Sequence, residues 1–140
     1  MVIYLDTSAL IKLYVEEADR DLVAAAVVSA RIVASTVTYA EARSGLARRT
    51  REGDLTGPEH RDIVAKLDED WRTFDRLEVS NLVAYHAGRL AEGFALRGFD
   101  AIHLASALHL ADRFDELRFL AFDRRLVDAA SEAGLTIYTD

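Results

Sequence analysis

Cysteine is missing from all 140 residues, which excludes both a disulfide scaffold and a thiolate-bound zinc site. Long apolar runs are missing too. The most tempting one, Leu22 to Val28, has seven residues, against the ~20 that a bilayer core requires, so no membrane span is expected. Only Met1 precedes the first apolar run, with no basic segment before it, so no secretory leader is expected either. A protein of a reducing cytoplasm follows as the expectation. Lysine is scarce: Lys12 and Lys66 stand alone, and the rest of the 17 basic residues are arginines. H-E-x-x-H, G-x-x-x-x-G-K-[ST] and G-x-G-x-x-G are all absent, which leaves zincin, P-loop and dinucleotide-binding chemistry nothing to rest on.

The residues present are those of an ordinary globule, 51% apolar and 29% charged, with a length that suits one domain over 1–140. The net charge of −7 argues against a passive nucleic-acid binder, which is normally basic. It still allows an enzyme that meets phosphate through a cation.

Strand and helix alternate along the chain. Val2 to Leu5 and Arg31 to Ser35 read as strands. Helices are expected over Ser8 to Val15, Ala18 to Ala30 and from Thr38 to about Arg49. Thr50 to Gly57 is polar and carries two glycines, as a loop would. Pro58 suits the first turn of a helix in which Ile63, Leu67, Trp71 and Phe74 recur at three- and four-residue steps. Leu77 to Val79 is a weak strand, and Ser80 caps a helix with Val83, Ala87, Leu90 and Phe94 on one face. A helix opens at Asp100, a strand runs over Arg118 to Phe122, a helix over Arg124 to Ala133, and a last strand over Leu135 to Tyr138. Crossovers this long cannot be hairpins. They imply an α/β domain of three layers, a mostly parallel central sheet with helices on both faces.

In open parallel sheets, ligands gather beyond the carboxyl ends of the strands. Asp6 follows the first strand, Asp123 a later one, Glu41 lies in the first turn of a helix, and Asp100 opens another. Each has a local explanation. Asp is a favoured N-cap, and Thr38-x-x-Glu41 matches a capping box. Capping does not require the four to meet, however. Were they to converge, two charges about 4 Å apart would repel by roughly 4 kcal/mol at an effective dielectric near 20. Helix N-termini would return only ~0.3–1 kcal/mol each, leaving a cation to supply the rest. An all-oxygen ligand set suits Mg²⁺ or Mn²⁺, and such ions commonly meet substrate phosphates.

The segments Asp6-Thr7-Ser8-Ala9-Leu10, TYAEARSGL around Glu41, FDAIHLASAL around Asp100 and FDRRL around Asp123 resemble the four acidic motifs of PIN-domain nucleases. The resemblance is closest to VapC-type toxins of toxin–antitoxin modules and runs from Leu5 to Leu135. It implies an endoribonuclease dependent on Mg²⁺ or Mn²⁺, in which a metal-activated water hydrolyses a phosphodiester bond. Asp6 and Asp100 would then be direct ligands. Asp123 would complete the site through a water, and Glu41 would hold a metal-bound water or a second ion. Ser8 would orient a carboxylate. Ala121 departs from the hydroxyl residue often found two places before the fourth acid. The resemblance also implies an antitoxin partner that occludes the site, and a homodimer. Two other function classes remain: a phospho-receiver signalling module, and a PIN-like fold kept as a non-catalytic binding module. A receiver would need paired acids after the first strand and a lysine near the last, and here Asp6 stands alone.

Arg48 and Arg49 belong to the densest basic stretch, close after Glu41, and are candidates for contact with an RNA backbone. His103, three residues after Asp100, shares a helical face on which the two could bind a metal together, but reads first as a histidine on a packing face. Tyr14, Trp71, Phe74 and Tyr85 are many large rings for helices of a small domain, as at an interface with one wet edge.

Overall fold

The computed structural model describes residues 1–139. Among these residues, five strands form one sheet: β1 (Val2–Leu5), β2 (Arg31–Ser35), β3 (Asp75–Leu77), β4 (Leu117–Leu120) and β5 (Thr136–Ile137). Their order across the sheet is β3-β2-β1-β4-β5, and every pairing is parallel, where the sequence led us to expect a mostly parallel sheet. Among the described residues, seven helices supply the crossovers: α1 (Thr7–Ile11), α2 (Arg20–Val27), α3 (Val37–Arg51), α4 (Gly57–Trp71), α5 (Asn81–Phe94), α6 (Gly98–Ala111) and α7 (Arg124–Glu132).

The period-two alternation of strand side chains divides the core in two. Ile3 and Leu5 of β1, with Leu120 of β4, face one side. There they meet Ala9 and Leu10 of α1, Val23 of α2, Ala42 and Leu46 of α3, and Leu67 of α4. Tyr4 of β1, Val33 of β2 and Phe119 of β4 point the other way, into Val83 and Ala87 of α5, Leu104 and Ala105 of α6, and Leu126 and Ala130 of α7. The rings of Tyr4 and Phe119 stack, with centroids 5.5 Å apart. Helices therefore cover both faces, as parallel strands require.

Local chemistry explains the element ends. The Thr56 and Glu59 side chains form a reciprocal capping box at the start of α4, with Pro58 in the first turn. Ser80 caps α5 by accepting from the Val83 N–H. Gly134 takes a left-handed φ of 102° just past α7, a conformation that glycine adopts without penalty. Helix α3 begins at Val37, after Thr36, whose side chain makes no cap bond, so the capping box expected of Thr38 and Glu41 does not form. Thr38 is buried instead, and Glu41 is free to bond elsewhere. Of the four expected interface rings, Phe74 is buried in the core, Trp71 leans on it edge to face, and Tyr14 donates to Asp70 at 2.7 Å. Tyr85 alone stays largely exposed, at 69%.

One close approach sets the position of α1. A Cβ at Gly45 in α3 would sit 3.0 Å from Cδ1 of Ile11, so α1 and α3 meet where glycine leaves room. Gly45→Val should lower the unfolding free energy by about 1–3 kcal/mol through overpacking. Gly88→Ala, in α5 with nothing within 4 Å of its added carbon, should raise it by about 0.5–1 kcal/mol. Urea denaturation of both variants checks the pair.

Candidate active site

Because β1 connects to β2 on one side while β4 pairs on its other side, the strand order reverses at β1. Reversal leaves a crevice beyond the carboxyl ends of β1 and β4 that no crossover covers. Asp6 leaves β1 at this edge and Asp123 follows β4, with the Asp6 N–H reaching the Leu120 carbonyl at 3.3 Å. A cleft of about 770 Å³ opens here, and Asp6, Glu41, Asp100 and Asp123 all line it, together with Ser8, Arg48, Arg49, Arg97, Phe99 and His103. Asp6 and Asp123 come from the ends of β1 and β4 and Asp100 from the first turn of α6, whereas Glu41 lies one residue past the first turn of α3, which opens at Val37 rather than Thr38.

Asp6, Glu41 and Asp123 each accept their hydrogen bonds through one oxygen. Asp6 Oδ1 accepts from the Ala9 N–H at 2.9 Å, capping α1, and from the Ser8 hydroxyl at 2.8 Å. Asp123 Oδ1 accepts from the Leu126 N–H at 3.1 Å, capping α7. Glu41 Oε1 accepts from the Thr7 hydroxyl at 2.6 Å and lies 2.8 Å from His103 Nε2. Arg97 lies 3.4 Å from Asp100 Oδ2 and 3.9 Å from Asp123 Oδ2. Asp6 Oδ2 and Glu41 Oε2 take no hydrogen bond among the described residues, so both are available to a ligand in the cleft.

Hard carboxylate oxygens with one atom anchored and one available fit a divalent ion that keeps several of its waters. The fit is to an open wall rather than a finished cage. Among the described residues, no three His, Asp or Glu side chains are already gathered around one point. From the sequence, helix N-termini relieve part of the repulsion among the acids and a cation the rest; the structure adds Arg97 at the exposed rim and the His103 bond to Glu41.

A family model described as PIN domain matches residues 3–132. The chain belongs to the PIN domain family. It is 37% identical over 142 residues to the protein named Ribonuclease VapC45 of Mycobacterium tuberculosis (strain CDC 1551 / Oshkosh), covering 97% of this chain and 94% of that one. Its fold is similar to the crystal structure of FitAcB from Neisseria gonorrhoeae, with a TM-score of 0.73 at 19% identity, covering 99% and 97% of the two chains. It is also similar to a toxin–antitoxin complex from Klebsiella pneumoniae, with a TM-score of 0.58 at 22% identity over 84% of each chain.

In this PIN domain the basic candidates divide. Arg48 is exposed at the cleft, while Arg49 is half-buried and pairs with Glu17 at 3.1 Å. His103 was read from the sequence only as a packing histidine, and Thr7, which donates to Glu41, was not singled out at all. His103 is buried, as a packing histidine would be, yet it touches Tyr4, Thr7 and Glu41. Its three-residue spacing from Asp100 was the available signal, but its partner lies 62 residues away, on α3.

Buried Asp6 and half-buried Glu41 are perturbed in opposite directions. Burial raises the Asp6 carboxyl above its ordinary value and the Asp100 charge adds to this, against the lowering effect of His103, the Ala9 N–H and the Ser8 hydroxyl. Burial also works against ionised Glu41, but the bonds from His103 and Thr7 outweigh it and hold that group below its ordinary value. A raised folded-state pKa favours folding fully below the unfolded pKa, and the advantage is lost as pH rises through the folded one. A depressed pKa does the reverse: its contribution is present above the unfolded pKa and is lost as pH falls through the folded one. At pH 7 with chelator present, Asp6→Asn should therefore raise Tm, by about 4 °C if ~1 kcal/mol is recovered. Glu41→Gln should lower it. Differential scanning calorimetry of the two variants beside the parent chain reads both signs.

Proposed function

We propose that this PIN domain is an endoribonuclease dependent on Mg²⁺ or Mn²⁺ and the toxin of a toxin–antitoxin pair in the cytoplasm. Its substrate is RNA, and its protein partners are an antitoxin that covers the cleft and a second copy of the chain. The observation that carries this is the arrival of four carboxylates, from four separate stretches of sequence, along one cleft at the reversal of strand order. The ribonuclease name of the 37%-identical relative supports the reaction class, and the complex with a similar fold supports the pairing.

Asp6 and Asp100 would hold the ion directly, Asp123 would complete the site, and Glu41 would orient water beside it. When bound, the ion supplies an activated water and neutralises charge on the phosphoryl oxygens. The chain's own groups do the rest. Ser8 and the Ala9 N–H fix the Asp6 carboxylate so that its other oxygen is presented to the cleft. Glu41, kept ionised, accepts a proton from the water it orients. Arg48 meets the RNA backbone, with Arg49 beside it once Glu17 yields. Cleavage in this sense leaves a 5′ phosphate and a 3′ hydroxyl. A phospho-receiver would place a lysine at the acids, and neither Lys12 nor Lys66 lines the cleft.

Asp6→Asn and Asp100→Asn should each reduce RNA cleavage by more than about 100-fold, the upper end of the loss when only an outer partner of a metal site is removed. EDTA should abolish cleavage, and Mg²⁺ or Mn²⁺ should restore it. End-mapped cleavage of total RNA beside the two variants is the test, and an undiminished rate in either removes that residue from the site. Arg48→Ala should raise KM for RNA and flatten the dependence of log KM on log salt by about 0.7 per lost phosphate contact. Arg49→Ala should do so less, because Glu17 already engages that side chain. Initial rates across a salt series separate the two.

A further inference from the structure

Glu41 has three rotatable side-chain bonds and is half-buried, so fixing its carboxylate opposes up to about 2 kcal/mol of side-chain entropy. Its backbone does not fix it, since the helix start offers no capping bond to this side chain. Instead, Thr7 of α1 and His103 of α6 both reach the same atom, Oε1, at 2.6 and 2.8 Å. Thr7 and His103 also touch each other, with Oγ1 3.3 Å from Nε2, so the three groups close a triangle. A carboxylate can only accept, so His103 must carry a proton on Nε2 to make its bond. The other ring nitrogen, Nδ1, lies 2.8 Å from the Tyr4 hydroxyl. Tyr4 is fully buried in β1, and its ring meets the His103 ring edge to face at a centroid distance of 5.9 Å. His103 itself is only 2% exposed, and so cannot swing away to solvent.

Resting on the function proposed above, we infer that His103, backed by Tyr4, is a positioning residue. It holds Glu41 by Oε1 so that Oε2 faces the cleft. The bridge runs from the central strand through α6 to α3, and thereby ties the orientation of one acid to the core that carries Asp6. A histidine serving only as core filler would need no proton on a particular nitrogen, and an apolar side chain of similar size would replace it.

Three measurements test this. Long-range ¹H–¹⁵N spectra of the ¹⁵N-labelled chain should place a proton on His103 Nε2. A ring protonated only on Nδ1 would overturn the inference. In RNA cleavage, His103→Leu should lower kcat by about 10- to 100-fold with KM within about twofold, the usual effect of removing a group that orients a metal-site residue. His103→Gln, which can put an N–H near the same place, should recover most of that loss. A His103→Leu variant that melts cooperatively and cleaves at the parental rate would sink the inference, and so would equal losses in the Leu and Gln variants. Tyr4→Phe, which keeps the ring and removes the hydroxyl, should lower kcat less than His103→Leu does, and an equal or larger loss would put the hold on Glu41 elsewhere. If the parental chain cleaves no RNA, the proposed function falls, and the position of the His103 proton alone then decides the bridge.

Discussion

Parallel pairing is the constraint from which the rest of this molecule follows. A strand that must run beside its predecessor in the same direction cannot return by a tight turn, so helices carry the chain back along the sheet. Every strand then ends on the same edge. With the order β3-β2-β1-β4-β5, crossovers leave β1 to one side and reach β4 on the other, and the gap between them is a place no connection fills. Acids placed just after strands arrive at that gap whatever their separation in sequence. Asp6 and Asp123 lie more than a hundred residues apart and still line one cleft.

Gathering negative charge at one edge has an energetic consequence. Asp6 is held there by the N–H and hydroxyl at the start of α1, yet burial and the charge of Asp100 still push its carboxyl upward. Glu41 has the opposite balance because two donors share one of its oxygens. Two acids a few residues from different strand ends thus differ in how readily they ionise, and the difference comes from their partners rather than from their depth alone. Arg97, 81% exposed at the rim between Asp100 and Asp123, is screened by water and contributes little to stability.

The sheet was largely legible in the sequence. Strands β1 and β2 were read to the residue because each is a short apolar run followed at once by helix-starting residues. Strand β3 was displaced by two residues, since a three-residue edge strand paired on one side carries almost no pattern of its own. The four acids were legible as a set because strand ends are where a parallel sheet exposes its chemistry, and Ser8 because it lies two residues from Asp6. The helix start at Thr38 was misjudged for a physical reason: T-x-x-E is a local pattern, and the bonds that Glu41 makes span 34 and 62 residues. His103 was hidden by the same limit. Its burial was readable, but a partner on a distant helix was not.

The outer strands of the sheet are its shortest or nearly so, three residues in β3 and two in β5. Edges this brief expose few free peptide groups, and a visiting chain gains little by lining up against them as an added strand. Recognition by an added strand is thereby disfavoured. A partner gains more by meeting side chains on the helical surfaces that flank the sheet.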